Sequence, residues 1–112
     1  MIIYYNPDCS KCNQALDLLK QNNCEFTIRN YLSNPPSVEE LKELLAKLKC
    51  KPIDIVRKKE PLYEQNYASQ QWSDQEWLNI LSKHPILIER PIVINKNKAI
   101  IGRPPQLVLN IL

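Results

Sequence analysis

The feature that most constrains this chain is its single glycine, Gly102, among 112 residues. Loops that bind nucleotide phosphates need several glycines, so a P-loop and a dinucleotide-binding fingerprint are both excluded. Any bound anion must instead be held by side chains or by the N-terminus of a helix. The net charge is only +3, with basic and acidic residues interspersed. Direct nucleic-acid binding, which usually needs a clustered basic face, is therefore not expected.

Composition and hydropathy indicate one globular domain. Hydrophobic residues make up 44% of the chain and charged residues 24%, which is the balance of an ordinary soluble protein. No apolar run approaches the roughly 20 residues of a membrane-spanning helix. The N-terminal segment Met1–Tyr5 lacks the basic region and cleavage site of a signal peptide. We therefore expect a cytoplasmic protein without membrane association.

Residues 1–32 have the pattern of a βαβ unit. Ile2–Tyr5 is rich in β-forming residues, and alternation of polar and apolar side chains predicts a second strand over Glu25–Tyr31. The segment between them is predicted to be helical because four residues share one stripe, namely Cys12, Ala15, Leu16 and Leu19. Two strands joined by a helix in this way are expected to be parallel.

Residues 33–85 are predicted to be mainly helical. A capping box at Ser37–Glu40 begins a helix that carries the leucines of residues 41–48, and a second box at Ser73–Glu76 begins another helix. The segment Tyr63–Gln71 is polar and shows no clear periodicity, so no regular element is predicted there.

Residues 86–112 are predicted to form a hairpin and a C-terminal helix. Ile92–Ile94 and Ala99–Ile101 are short apolar strands separated by a turn, and four later residues share a helical face, namely Leu107, Val108, Ile111 and Leu112. The whole chain is therefore predicted to be an α/β protein with a thioredoxin-like β-α-β-β-α core. Its helical insertion lies between strands two and three, within a single domain of residues 1–112.

Cys9 and Cys12 form a C-x-x-C motif between the first strand and the first helix. Cys9 then lies at the helix N-terminus, where unpaired N–H groups and the helix dipole stabilise a thiolate. Cys12 lies one turn further on and can face Cys9. A C-x-x-C motif in a βαβ unit indicates redox chemistry. The alternative is that both cysteines are simply small buried residues.

The remaining candidate metal ligands do not form a recognisable site. A zinc site would need two ligands besides the C-x-x-C motif, and Cys24, Cys50 and His84 supply neither a second such motif nor paired histidines. Cys24 and Cys50 are predicted to be buried as small apolar residues. His84 is predicted to cap a helix. No metal is therefore expected.

Two arginines lie beside predicted strand ends. Arg90 precedes Pro91 at the start of the third strand, and Arg103 follows Gly102 after the fourth. In the expected fold both can converge on the loop that carries Cys9, and the guanidinium fork matches an oxyanion. Because arginine is also common on protein surfaces, the spacing alone leaves an oxyanion site and ordinary surface charge both open.

Several motifs resemble those of the glutaredoxin-linked arsenate reductases, the ArsC family, over essentially the whole chain. They are the segments Asn6–Cys12, Asn34–Ser37, His84–Pro91 and Gly102–Pro105. The resemblance implies a thioredoxin-like core with a helical insertion and a cis-proline at the position of Pro91.

The resemblance also implies a reaction and its residues. Cys9 would be the nucleophile that reduces arsenate to arsenite, and three arginines would bind the oxyanion, namely Arg57, Arg90 and Arg103. No bound cofactor is implied. Glutathione would be the reducing co-substrate, with glutaredoxin as the protein partner, or thioredoxin if an intramolecular disulfide completes the cycle. A monomer is expected.

Two positions depart from the pattern of the family. Many members have histidine where this chain has Tyr5, so the helix and the arginines must ionise Cys9 without that cation. Cys12 replaces a frequent serine and is predicted to resolve the intermediate. The C-x-x-C motif is also typical of the related Spx-type transcriptional regulators, which use it as a redox switch on RNA polymerase. Such a regulator is the alternative function.

Overall fold

The computed structural model describes all 112 residues and divides them into two compact units. One unit, the sheet unit, comprises Met1–Asn34 and Arg90–Leu112, and the other, the helical unit, comprises Pro35–Glu89. The sequence predicted a helical segment over residues 33–85; the helical unit begins two residues later, at Pro35, and ends four residues later, at Glu89. That the chain forms one domain stays a prediction.

The sheet unit contains one four-stranded sheet. Its strands are β1 (Ile2–Tyr4), β2 (Thr27–Arg29), β3 (Ile92–Asn95) and β4 (Lys98–Ile101), in the order β2-β1-β3-β4. β1 pairs parallel with β2, and the other two pairs are antiparallel. The predicted βαβ unit and hairpin are therefore confirmed.

Helix α1 (Ser10–Gln21) and a C-terminal 3₁₀ helix (Pro105–Ile111) pack together in the sheet unit. The buried core that they share with β1 and β3 comprises Ile3, Ala15, Leu16, Leu19, Val93, Val108 and Ile111. The order of elements is that of the predicted thioredoxin-like core. The last element was predicted from a helical stripe and is a 3₁₀ helix, whose first turn closes from the Leu107 N–H to the Pro104 carbonyl at 3.1 Å.

Strand β2 is shorter than the predicted strand over Glu25–Tyr31. It lies at the edge of the sheet, paired only with β1, and Ile28 is 47% exposed. The side chain of Asn30 accepts hydrogen bonds from the backbone of Leu32 and Ser33. Asparagine favours such turns, so the chain leaves the sheet soon after Arg29.

The helical unit contains helices α2 (Val38–Leu48), α3 (Pro61–Asn66) and α4 (Asp74–Lys83), with 3₁₀ turns at Pro52–Ile55 and Pro85–Leu87. Both predicted capping boxes are confirmed, with reciprocal hydrogen bonds of 3.1 Å at the starts of α2 and α4. His84 is the C-cap of α4, as predicted.

Helix α3 corrects the prediction that no regular element lies near Tyr63–Gln71. The helix begins at Pro61, whose fixed φ suits the first position of a helix. With six residues, α3 is too short to show a periodic stripe, and none of its residues is fully buried.

None of the helices combines the length and the apolar composition that crossing a membrane would need.

Two extended segments meet within the helical unit next to its 3₁₀ turns. Val56 pairs antiparallel with Ile88. The Arg57 N–H donates to the Leu87 carbonyl at 2.7 Å, and the Glu89 N–H donates to the Ile55 carbonyl at 2.8 Å. These two hydrogen bonds hold the backbone in place at Arg57 and at Glu89, the residues whose side chains pair with each other.

Candidate active site

Cys9 is held at the N-terminus of α1 by the loop that precedes it. Its backbone is extended, with φ −100° and ψ 115°, so Cys9 is the N-cap of the helix. The Cys9 N–H donates to the Asn6 carbonyl at 3.0 Å, and the Asn6 side chain accepts from the Asp8 N–H at 3.0 Å. The loop therefore fixes the backbone that carries the sulfur, and Cys9 as a whole is only 5% exposed.

Cys12 lies one helical turn after Cys9 and has no exposed surface. The two side chains are hydrogen-bonded to each other, and the backbone of Asn6 is hydrogen-bonded to Cys12. Burial, together with the hydrogen bond and charge of Cys9, raises the pKa of the Cys12 thiol to about 12. Cys12 is therefore a neutral donor beside a sulfur that is more readily ionised.

Arg90 and Arg103 both lie against the Cys9 sulfur. The Arg90 side chain is hydrogen-bonded to Cys9, and Arg103 Nη2 lies 3.9 Å from Cys9 Sγ. Burial by itself would raise the pKa of Cys9, but the hydrogen bonds from Arg90 and from Cys12 outweigh it and hold that pKa below its ordinary value. Cys9 therefore ionises more readily than a free cysteine.

The peptide bond between Arg90 and Pro91 anchors Arg103. This bond is cis, as the resemblance implied, and so is the bond between Arg103 and Pro104. Arg103 Nε donates to the Arg90 carbonyl at 2.6 Å, and the Gly102 N–H donates to the Pro91 carbonyl at 2.8 Å. The two segments that carry the arginines are thus tied to each other.

Gly102 lies at a close-packed junction that leaves little room for a side chain. A Cβ atom added to it would lie 3.0 Å from Pro91 Cγ and 3.0 Å from Val108 Cγ1. Both distances are at the limit of what Cβ contacts show. The only glycine of the chain therefore allows the segment before Arg103 to approach Pro91.

The Tyr5 hydroxyl is hydrogen-bonded to Asn13 and not to the Cys9 sulfur. Its hydroxyl donates to Asn13 Oδ1, and Asn13 Nδ2 donates to the Pro7 carbonyl at 3.2 Å. Tyr5 therefore helps to hold the loop before Cys9 in place, and its side chain brings no positive charge to the cysteine.

Arg57 has different neighbours from those of the other two candidate arginines. It lies in the helical unit, where Arg57 Nε pairs with Glu60 Oε1 and Arg57 Nη1 pairs with Glu89 Oε1, each at 3.1 Å. The side chain is 16% exposed. Two carboxylates thus compensate its charge.

The structure therefore brings together four of the five candidate site residues, Cys9, Cys12, Arg90 and Arg103. Sequence reasoning missed two residues that hold the loop. Asn6 acts through its carbonyl and its side chain, and Asn13 acts through its side chain. The signal for Asn6 was its place before Pro7 and Asp8, a pattern typical of asparagine-stabilised turns. Asn13 gave no such signal.

The other cysteines and the candidate ligands form no further site. Cys24 and Cys50 are only partly buried, which departs from their predicted burial as core residues. Cys24 packs at the margin of the core of the sheet unit. No group of three or more His, Cys, Asp or Glu side chains is arranged to hold a metal ion.

Comparison with known protein families shows which family the chain belongs to. The sequence model described as "ArsC family" matches residues 4–111. The chain belongs to the ArsC family. The expectation from the motifs is therefore confirmed, and it extends over nearly the full length.

Individual ArsC relatives agree with this membership. A Haemophilus influenzae protein named arsenate reductase is 43% identical over 114 residues, which cover 100% of this chain and 98% of that protein. An Escherichia coli protein of the same name is 37% identical over 111 residues, covering 98% of this chain and 79% of the relative. The match thus includes relatives of similar length and longer ones.

A solved ArsC structure has the same fold. The structure titled arsenate reductase from Vibrio cholerae superposes with a TM-score of 0.94 and 42% sequence identity, covering 99% of this chain and 96% of that one. At this level of similarity, the thioredoxin-like core and the helical segment between strands two and three are shared.

Proposed function

We propose that this protein reduces arsenate to arsenite through the Cys9 thiolate. The observation that carries the proposal is the position of one sulfur at a helix N-terminus, hydrogen-bonded to Arg90 and 3.9 Å from Arg103. The names of the ArsC relatives support arsenate as the substrate. The same features support a thiol-based oxidoreductase in general.

The charge of the substrate explains why arginines are needed. Arsenate is an anion at neutral pH, so an attacking thiolate meets like-charge repulsion. Arg90 and Arg103 offset that repulsion and stabilise charge in the transition state, where a desolvated site makes such contacts strong. When the Cys9–arsenic bond forms, one arsenate hydroxyl takes up a proton from solvent and leaves as water. The sulfur then loses its charge, and both guanidinium groups can act on the remaining arsenate oxygens.

A second thiol must complete the reduction, because arsenic gains two electrons. Overall, one arsenate and two thiols give one arsenite, one disulfide and one water. The second thiol is either glutathione, with glutaredoxin clearing the product, or Cys12 within the chain. Cys12 is in hydrogen-bond contact with Cys9, which gives it a high effective concentration.

Two arginines are assigned to the oxyanion in this proposal. The family resemblance adds Arg57, but Arg57 is already compensated by Glu60 and Glu89. A group whose charge is neutralised by two carboxylates contributes little to binding an anion. A smaller loss of arsenate turnover in Arg57→Lys than in Arg90→Lys or Arg103→Lys tests this assignment.

The test is arsenate-dependent NADPH oxidation with two coupling systems. One contains glutathione, glutaredoxin and glutathione reductase, and the other contains thioredoxin and thioredoxin reductase. We expect turnover in at least one system and none with Cys9→Ser, while Cys24→Ser serves as the control. Absence of turnover in both systems, with correctly folded reduced protein, would refute the proposal.

A redox-switch regulator is the second candidate because Cys12 lies beside Cys9 in a C-x-x-C motif. It predicts a disulfide after mild oxidation, binding to RNA polymerase that depends on that disulfide, and no arsenate turnover. Binding that is independent of oxidation state would contradict this alternative.

A further inference from the structure

The two sulfurs of the candidate site form an asymmetric pair. Both residues are buried, with 5% exposure for Cys9 and 0% for Cys12, and Cys9 is the one that lies against two arginines. Cys12 donates a hydrogen bond to Cys9 and is neutral. In thiol–disulfide exchange the attacking group is a thiolate, and a second thiol then closes the bridge. The pair has this division of roles before any arsenate is present.

We propose that the reduced protein is itself a dithiol reductant of small disulfides that carry carboxylates, with Cys9 as the attacking sulfur and Cys12 as the resolving sulfur. This activity goes beyond arsenate reduction and does not depend on it. It needs only the Cys9–Cys12 pair and the positive charge beside it.

The chemistry balances in two steps. The Cys9 thiolate attacks one sulfur of the external disulfide, so that a Cys9–substrate disulfide forms and the first substrate thiolate leaves, to be protonated by solvent. Cys12 then loses its proton and attacks Cys9 Sγ. The second substrate sulfur leaves with that proton, and a Cys9–Cys12 disulfide remains. Two protein thiols are oxidised, and one external disulfide is reduced to two thiols.

The surroundings of Cys12 change in the direction that the second step requires. Besides burial, the hydrogen bond and the negative charge of Cys9 keep Cys12 protonated, whereas the Asn6 backbone and the charge of Arg90 favour its thiolate. Once Cys9 is bound in a mixed disulfide, its negative charge is gone while Asn6 and Arg90 remain. Cys12 therefore becomes more acidic when it has to attack.

The charge around Cys9 selects the class of disulfide. Arg90 and Arg103 lie at the sulfur, and the acidic residues of the entire sheet unit are only Asp8, Asp17 and Glu25. A local excess of positive charge raises the association rate of anions by a factor of about 10 to 10³ and is weakened by salt. Disulfides flanked by carboxylates should therefore react faster than neutral or cationic ones.

The experiment uses the full chain with Cys24→Ser and Cys50→Ser, so that Cys9 and Cys12 are the only thiols. The reduced protein is mixed with dithiodipropionate, hydroxyethyl disulfide or cystamine, which are anionic, neutral and cationic. Each rate is divided by that of free mercaptoethanol with the same disulfide. We expect two thiols lost per chain, a Cys9–Cys12 bridge by peptide mapping, and a normalised anionic rate about tenfold or more above the cationic one.

Variants separate the roles of the sulfurs and of the charge. Cys12→Ser should release one substrate thiol and retain a mixed disulfide on Cys9. Arg103→Gln should remove most of the preference for the anionic disulfide, whereas Lys20→Gln, at the other end of α1, should leave it intact. Circular dichroism is the control for the folding of each variant.

Two results would overturn the inference. One is a reduced protein that forms no Cys9–Cys12 bridge with any of the three disulfides. The other is equal normalised rates for all three in low salt. Because arsenate turnover is measured separately, a protein that reduces arsenate but fails here refutes only this inference, and the reverse outcome refutes only the proposed function.

Discussion

The two compact units surround their arginines with different counter-charges. In the sheet unit, Arg90 and Arg103 lie against a sulfur whose charge exists only when Cys9 is ionised. In the helical unit, Arg57 lies between the carboxylates of Glu60 and Glu89. Three residues of one type, all expected to bind the same anion, thus have two different environments.

The difference between these environments is whether the counter-charge can be removed. Glu60 and Glu89 are ion-paired with Arg57, and neither takes part in the bond that Cys9 forms, so the charge of Arg57 stays compensated. The Cys9 thiolate loses its charge as soon as its sulfur forms a covalent bond. The positive charge of Arg90 and Arg103 then acts on whatever is attached to that sulfur, which is what a transition-state contact requires.

The largest expected effect is on catalysis by the sheet-unit arginines. Arg90→Lys and Arg103→Lys keep the charge but lose the planar fork, and each should lower kcat/KM for arsenate by about 10² to 10³. Arg57→Lys should lower it by less than about fivefold, because Arg57 is already paired. Steady-state kinetics of all three variants measure this directly. A loss in Arg57→Lys equal to that in Arg103→Lys, at unchanged stability, would erase the contrast between the two units.

The next effect is on the stability of the helical unit. Arg57→Met leaves Glu60 and Glu89 without their shared partner in a region where the three side chains are 16% to 26% exposed. We expect the free energy of unfolding to fall by about 2–4 kcal/mol, near the range for breaking a largely buried pair.

The matched control for Arg57→Met is Lys42→Met. The Lys42–Glu39 pair is 3.6 Å long, and its side chains are 49% and 80% exposed, so its loss should change stability by less than about 0.5 kcal/mol. Urea unfolding of both variants gives the comparison. Equal losses of unfolding free energy would mean that the ion pairs of Arg57 contribute no more to stability than an exposed surface pair.

Gly102→Ala tests the junction that holds Arg103. The added Cβ would lie 3.0 Å from both Pro91 and Val108, so unfolding free energy should fall by about 1–3 kcal/mol, the usual result of overpacking. Combining it with Val108→Ala removes one of the two contacts. The double variant should therefore lose less than the sum of the two single losses. Strict additivity would show that Val108 does not oppose the new Cβ.

Much of this arrangement was predictable because local signals agree with the fold. Three helices were specified by short-range signals, and all three are found. The signals are the two S-x-x-E boxes and the apolar stripe of Cys12, Ala15, Leu16 and Leu19. The family motifs located Pro91 and its cis peptide bond. The places of Arg90 and Arg103 at strand ends indicated that both could converge on Cys9, and both lie against it.

The features that were not predictable either leave no periodic pattern in the sequence or depend on partners elsewhere in the chain. Helix α3 is too short to show a periodic pattern, and the end of β2 is decided by the side chain of Asn30. The partners of Arg57 are three and thirty-two residues away, and nothing in the spacing of charges identifies Glu89 as one of them. The same limitation hid the link between Tyr5 and Asn13.

The pH dependence of the two cysteines should have opposite signs. The pKa of Cys9 is lowered in the folded protein, so its contribution to stability is present at high pH and is lost as pH falls through the folded pKa. The pKa of Cys12 is raised to about 12. Its contribution is present below the unfolded value of about 8.5 and is lost as pH rises towards 12.

Alkylation by iodoacetamide measures the Cys9 side of this pair. The midpoint for Cys9, followed by peptide mapping, should lie below that of free cysteine, and Arg90→Gln should move it upward because a hydrogen bond to the sulfur is lost. A midpoint unaffected by Arg90→Gln would show that the helix N-terminus, rather than the arginine, sets the ionisation of Cys9.

The smallest effect is expected at Tyr5, whose hydroxyl is hydrogen-bonded to Asn13. Tyr5→Phe removes only the hydroxyl that donates to Asn13. One neutral hydrogen bond contributes about 0.5–1.5 kcal/mol, so kcat/KM should fall by less than about tenfold, and the Cys9 alkylation midpoint should stay where it is. Asn13→Ala breaks the same link and the contact with Pro7, so adding Tyr5→Phe to it should cause no further loss. If Tyr5→Phe instead shifts the Cys9 midpoint, the phenol acts on the sulfur electrostatically, in addition to Arg90 and Cys12.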